Sequence, residues 1–268
     1  MKYGFIGVGN MGGAILKGLL NAGAVSRGDV VICGRDFVKT QGQAAELGVT
    51  ALEEQSETVG VVDVVFIGVE PGTFPEVMPK IAEKYTPDKL IISMAAGKTI
   101  EFMEEYLGSD ARIIRIMPNT PAKVGEIMVS VSRNNNVSDE EIQNIIGLFS
   151  TMGKAAEVPE EMIHAVIGVS GSSPAYTYMY IDALAKSAAE YGIPYEKARV
   201  FAAQAVLGAA KMVLSTDVEL GTLVKNVCSP GGTTIEAVES LQDSDFEKIV
   251  EKAAGAAIEK SMAMSRKK

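Results

Sequence analysis

The sequence predicts a doubly wound α/β domain followed by an all-helical domain. Three observations carry that fold class. Short apolar runs alternate with helical patterns through the first part of the chain. The stretch "GVGNMGGAI" at 7–15 sets three glycines at G-x-G-x-x-G spacing right after an apolar run. Strand patterns then stop near residue 160. Alternating strands and helices imply a parallel sheet covered on both faces. The predicted domains are 1–158 and 159–268.

The elements follow in order. "YGFIGV" (3–8) reads as the first strand, and Met11, Ile15, Leu16, Leu19 and Leu20 then fall on one helical face that ends near Gly23. "DVVICG" (29–34), "DVVFIGV" (63–69), "KLIISMAA" (89–96) and "RIIRIM" (112–117) are apolar on both faces, as buried parallel strands are. "TFPEVMPKIAEKY" (73–85) is a helix between two of them. "IMVSVS" (127–132) alternates apolar and polar residues and predicts an edge strand. In the second half, "SPAYTYMYIDALAKSAAEYG" (173–192) carries a serine cap, an early proline and a glycine stop. Further helices are "PYEKARVFAAQAVLGAAKMVL" (194–214), one opening after "SPGG", and "FEKIVEKAAGAAIEKSMAMS" (246–265). Their alanines and glycines let helix axes approach closely. So small and apolar a domain is expected to bury a face against a second copy, as a homodimer.

Composition excludes several partners. Net charge is −9 and the isoelectric point about 4.9, so a nucleic-acid backbone would be repelled. Only the tail "SRKK" (265–268) is basic, and it reads as a solvated terminus. No apolar run reaches the ~18–20 residues of a membrane helix. The opening lacks a signal peptide's apolar core of about 7–15 residues, so a cytoplasmic location is expected. Cys33 and Cys228 are far apart, and neither a disulfide framework nor a metal site is expected from them. The single histidine, His164, reads as structural or surface-exposed.

The glycine run gains meaning from its place between a strand and a helix. Gly7 permits a tight turn, Gly9 lets a pyrophosphate approach the backbone, and Gly12 allows close helix–strand packing. The helix start then offers amides and a positive dipole end to phosphates. This is a Rossmann-type dinucleotide site. An NAD site usually carries a carboxylate at the end of the second strand. Here that strand ends in Gly34, and Arg35 supplies a cation for a 2′-phosphate, so NADPH is the expected cofactor. Asp36 could still reach a ribose, which leaves NADH open as well.

Three further stretches carry candidate chemistry. "SMAAGKT" (93–99) puts small residues at the end of a strand, where ligands of such sheets lie. "RIMPNTPAKVG" (115–125) places two prolines around Asn119 and Thr120, which implies a rigid loop. "VCSPGGTTIEA" (227–237) gathers free amides and hydroxyls at a helix start, an array suited to a small carboxylate.

Taken in order, "FIGVGNMGGAI", "AAG", "RIMPNTPA", "SGSSPAY" and "SPGGTT" resemble the pyrroline-5-carboxylate reductases, over essentially the whole chain. The resemblance implies NADPH-linked reduction of a cyclic imine to L-proline. It implies a helical domain that interlocks with a partner subunit, with rings of dimers in some members. By motif, Gly7, Val8, Gly9, Asn10, Met11 and Gly12 would hold the pyrophosphate, and Arg35 the 2′-phosphate. Val69, Pro71, Ala95, Ala96 and Gly97 would line the nicotinamide side. Asn226, Gly232, Thr233 and Thr234 would hold the substrate, with Thr234 as the hydroxyl on the ring nitrogen. Departures from the family pattern are Glu70 in place of a lysine, Gln55 in place of an asparagine, Ile167, Ser173, and Glu219-Leu220. Two other readings stay open: a β-hydroxyacid dehydrogenase, with Lys186 as its lysine, and a binding paralogue without turnover.

Overall fold

In the computed structural model, which describes residues 1–265, eight strands form one sheet. They are β1 (Tyr3–Ile6), β2 (Val30–Cys33), β3 (Thr50–Ala51), β4 (Val64–Ile67), β5 (Leu90–Ser93), β6 (Arg112–Met117), β7 (Ile127–Arg133) and β8 (Gly153–Glu157). Their order is β3-β2-β1-β4-β5-β6-β7-β8, and all neighbours are parallel except β6 and β7. The chain winds outward from β1 to β3, then returns to place β4 on the other side of β1. Ligands of open α/β sheets bind beyond the carboxyl ends of the strands at such a switch point.

Strand side chains alternate between two cores. Phe5, Phe66 and Ile114 face one side, with Ile15, Leu16 and Leu19 of α1 (Asn10–Asn21). That side also receives α2 (Phe37–Leu47), through Ala44 and Leu47, and α6 (Asp139–Ser150), through Ile142 and Phe149. Ile6, Ile67 and Ile91 face the other side, beneath α3 (Gln55–Gly60), α4 (Phe74–Ala82) and α5 (Ile100–Leu107).

The edge-strand reading of 127–132 is corrected. β7 lies between β6 and β8, and Ser130 and Ser132 are each 1% exposed. The alternation that mimicked an exposed face reflects serines packed beside Arg115, which pairs in register with Ser132. The true edges, β3 and β8, escaped the sequence reading. β3 has two residues, and "GKAAE" of β8 carries no large apolar side chain.

The chain divides into two compact units, one of Met1–Gly171 with the segment from Ala257 onward, the other Ser172–Ala256. The sheet ends at Glu157, next to the predicted boundary. Contacts carry the first unit further, through α7 (Ile163–Val166) and the π-turn Ile167–Gly171. Of the basic tail, residues 266–268 lie outside the described part.

The second unit holds α8 (Ser173–Glu190), α9 (Tyr195–Leu214), α10 (Leu220–Val227), α11 (Thr233–Asp243) and the start of α12 (Phe246–Ser265). The serine cap expected for α8 is not made. Ser172, at the cap position, has helical φ and ψ and makes no side-chain cap bond, because the π-turn runs straight into the helix. Within this unit only Ala185, Ala198 and Ala202 are buried, while Met179 is 73% and Leu214 70% exposed. Burial gains about 0.8 kcal/mol per methylene, against ~1–2 kcal/mol per residue of backbone entropy. Three alanines cannot hold these helices in water, so their apolar faces require a covering surface.

Candidate functional site

The turn between β1 and α1 is closed by sterics. Gly7 has a φ of +92°, and a Cβ there would stand 2.8 Å from the Gly68 carbonyl carbon and from Val69 Cγ1. A Cβ on Gly12 would lie 2.3 Å from the Gly7 oxygen, whereas one on Gly9 would meet nothing within 4 Å. The first and third glycines therefore press strand, turn and helix together. The second, at the cap of α1, leaves open backbone beside the helix N-terminus. The Val8 side chain is buried in the core and its carbonyl accepts from Gln43 Nε2 at 3.1 Å, so Val8 can offer a ligand little beyond its amide. Asn10 is exposed and Met11 half-buried.

The end of β2 is equally constrained. A Cβ on Gly34 would lie 2.6 Å from Thr40 Oγ1, which donates to the Asp36 carbonyl at 2.7 Å. A carboxylate side chain does not fit there. Asp36 is committed elsewhere: it caps α2, its Oδ1 accepting from the Lys39 amide at 3.0 Å. Arg35 and Lys39 line a cavity of about 270 Å³ with Gly7, Gly9 and Glu70. Among the described residues neither cation forms an ion pair. Lys39 was missed in the sequence; its four-residue offset from Arg35 across a capped helix start was the available signal. An adjoining cavity of about 400 Å³ is lined by Gly7, Arg35, Gln55 and Val69, and Gln55 Oε1 is buried there without a hydrogen-bond partner among the described residues. Pro71 opens the 3-10 turn Pro71–Thr73 just beyond Val69 and Glu70.

The small-residue loop follows β5. Ala95 is 3% exposed and its amide donates to Ser93 Oγ at 3.3 Å, while Ala96 is half-buried and Gly97 has a φ of +76°. Asn119 of the "MPNTP" stretch is a brace. Its Oδ1 accepts from the Met128 amide at 3.0 Å and its Nδ2 donates to the Ser170 carbonyl at 3.3 Å. His164 Nδ1 pairs with Ser261 Oγ at 2.8 Å. Burial and the Arg115 guanidinium hold its imidazole below its usual pKa, with Glu160 opposing. The ring is therefore neutral near pH 7.

In the second unit, Asn226 is near the end of α10, and Gly232, Thr233 and Thr234 open α11. Between them the Gly232 amide donates to the Ser229 carbonyl at 2.9 Å, with Pro230 at the second position and Gly231 left-handed, φ +67°, at the third. These are the residues a type II turn demands. Gly232 caps α11 without a side chain, so the first amides of the helix stay available. Lys186 is exposed and paired with Asp182 at 2.6 Å, which raises its pKa and keeps it charged. That arrangement does not suit a proton-transfer lysine.

The residues read as cofactor-binding thus converge at the carboxyl ends of β1, β2, β4 and β5. An open amide cradle, two unpaired cations and an orphaned amide oxygen fit a phosphorylated dinucleotide. The residues read as substrate-binding fall in the second unit, at the end of α10 and the start of α11.

Comparison with known proteins shows the family. The family model described as "Pyrroline-5-carboxylate reductase dimerisation" matches residues 160–264, and that described as "NADP oxidoreductase coenzyme F420-dependent" matches residues 2–97. The chain is 43% identical over 265 residues to the pyrroline-5-carboxylate reductase of Escherichia coli, covering 99% of this chain and 98% of that one. Among solved structures, a pyrroline-5-carboxylate reductase from Coxiella burnetii superposes with a TM-score of 0.92 at 30% identity. The Plasmodium falciparum pyrroline carboxylate reductase with NADP bound gives 0.87 at 30% identity. Each covers 99% of this chain and 98% of the other.

Proposed function

The chain belongs to the pyrroline-5-carboxylate reductase family of oxidoreductases, and from that premise we propose that it reduces the cyclic imine 1-pyrroline-5-carboxylate to L-proline with NADPH, the last step of proline synthesis. The full-length similarity to the Escherichia coli enzyme carries the reading. The steric exclusion of a carboxylate at Gly34, beside unpaired Arg35 and Lys39, supports the phosphorylated cofactor.

Gly7, Val8, Gly9, Asn10, Met11 and Gly12 hold the pyrophosphate, and Arg35 the 2′-phosphate. Val69, Pro71, Ala95, Ala96 and Gly97 line the nicotinamide side. Asn226, Gly232, Thr233 and Thr234 hold the substrate carboxylate and ring. When bound, NADPH supplies the hydride. The chain's own task is proximity, orientation and exclusion of water. The imine nitrogen is basic enough to arrive protonated, so no strong side-chain acid is needed. Thr234 contributes a hydroxyl to that nitrogen. The working unit is a homodimer, extended in the fuller form of the proposal to a ring of dimers. Free Cys33 and Cys228 accord with a reducing compartment, and we assign the cytoplasm.

NADPH consumption with the cyclic imine tests the function. Oxidation of a hydroxyacid instead, or cofactor binding without turnover, would overturn it. Arg35→Ala is expected to weaken NADPH by about 10–100-fold and NADH hardly at all, because only the former brings a phosphate to the guanidinium. Equal losses for both cofactors would remove Arg35 from this role. Glu70 shares a cavity with both cations, so Glu70→Lys should lower the Michaelis constant for NADPH, the gain shrinking as salt rises. An unchanged constant at low salt would show that the carboxylate points away from the phosphates. A fully active monomer at micromolar concentration, seen by sedimentation, would sink the dimer.

A further inference from the structure

The six-residue link between β5 and α5 carries Ala95, Ala96 and Gly97 and is anchored at both ends. At its front the Met94 amide donates to the Ile67 carbonyl at 3.2 Å, and that of Ala95 to Ser93 Oγ at 3.3 Å. At its back is the first turn of α5, whose amides have no intrahelical acceptor. Thr99 Oγ1 accepts one of them, from Phe102, at 3.1 Å. Another, from Ile100, reaches Glu160 Oε1 at 2.9 Å, sixty residues along the chain.

Glu160 is itself held. The same oxygen accepts from Arg115 Nη1 at 2.8 Å. The Arg115 side chain is 2% exposed, and its Nε and Nη2 have no hydrogen-bond partner among the described residues. Among the described residues Glu160 is the one carboxylate paired with this cation. A buried guanidinium that lost it would be left uncompensated in a low dielectric, so the carboxylate has no alternative position of similar energy. A negative charge at the start of α5 is also favoured by the helix dipole.

We infer that Glu160, pinned by Arg115, is a positioning residue that fixes the Ala95–Gly97 loop against the reacting end of the cofactor. The inference rests on the reading that this loop lines the nicotinamide side. Glu160 lies outside the G-x-G-x-x-G and "SPGGTT" motifs and touches no proposed substrate group. Its effect passes through the Ile100 amide.

Two pairs of variants isolate that amide. Ile100 is the first residue of α5, where proline is tolerated, and Thr99 before it is extended at φ −83°, ψ 165°, as a residue preceding proline must be. Ile100→Pro removes the N–H and leaves the Glu160–Arg115 pair alone. Ile100→Ala also truncates the side chain but keeps the N–H. Glu160→Gln retains the acceptor oxygen, and Glu160→Ala does not.

Hydrogen exchange of residues 94–100 in the cofactor-free chain is the first readout, followed by NADPH affinity, kcat, KM and the isotope effect with 4-deuterated NADPH. In Glu160→Ala and Ile100→Pro, loop exchange should accelerate about tenfold, the worth of one lost hydrogen bond. The kcat should fall by about 10–100-fold, as for a displacement near 1 Å, and the isotope effect should rise. NADPH affinity should stay within about twofold, since the phosphates are held elsewhere. Ile100→Ala should keep loop exchange and kcat near wild type, and Glu160→Gln, which keeps the acceptor but leaves the buried Arg115 charge unpaired, should fall between wild type and Glu160→Ala. Equal exchange and equal kcat in Ile100→Pro and Ile100→Ala, or a Gln variant no better than Ala, overturns the proposal. If the wild type does not reduce the imine, the functional reading fails on its own, and the exchange comparison still decides whether Glu160 pins the loop.

Discussion

Gly12→Ala is expected to destabilise the protein by about 3 kcal/mol or more and to abolish measurable NADPH binding. The added Cβ would sit 2.3 Å from the Gly7 carbonyl oxygen. That oxygen cannot retreat. The Gly7 amide is bonded to the Cys33 carbonyl at 2.8 Å, and its oxygen is so close to Gly68 that a Cβ there would be 2.5 Å away. Helix α1 must move off β1 instead. Overpacking a core typically costs about 1–3 kcal/mol, and a backbone obstacle places this case at the upper end. Displacement also carries the helix N-terminus away from the phosphates it serves. Gly9→Ala is the control. Its Cβ meets nothing within 4 Å, so the melting temperature should hold while NADPH affinity drops at least about tenfold from the methyl in the pyrophosphate path. Thermal melts and cofactor titration separate the two. Should Gly9→Ala bind NADPH like wild type, the pyrophosphate does not cross that backbone.

Thr234→Ala is expected to lower turnover by about one to two orders of magnitude with little change in NADPH affinity. Thr234 is the second residue of α11, half-buried, next to amides left free by the Gly232 cap. As hydride reaches the ring carbon the iminium nitrogen loses its charge and regains a lone pair, and the Thr234 hydroxyl can then donate a bond that the protonated imine had no lone pair to accept. Loss of that bond removes transition-state stabilisation more than ground-state binding. A polar group left without its partner in a closed site costs roughly 1–3 kcal/mol, which sets the size of the effect. Thr234→Ser should keep most of the rate, whereas Thr234→Val, with the shape but not the hydroxyl, should match Ala. Equal rates for Val and Ser would reduce Thr234 to a helix-start residue.

The backbone of both candidate sites was legible in the sequence because each rests on local demands. Gly7 and Gly231 need left-handed φ, Gly12 needs contact with a turn five residues earlier, and Gly232 must cap without a side chain. Short-range constraints of this kind leave glycines at fixed offsets. The central strands were legible for a related reason. A strand buried on both faces carries an unbroken apolar run, as β4 does with Val64–Ile67.

What escaped the sequence depends on partners distant along the chain. The sequence determined the doubly wound class, the glycine cradle, the positive residue at the end of β2 and the small-residue helices that need a second surface. Only the tertiary structure decided that β7 is interior, that Thr40 bars a side chain at Gly34, and that Asp36 is spent on a helix cap. It alone also brings Glu160 to the Ile100 amide and to Arg115, across sixty and forty-five residues. The physical reason is range. Dihedral preference and apolar periodicity act over a few residues and are written locally. Steric exclusion and charge pairing act between surfaces that meet only once the sheet is assembled.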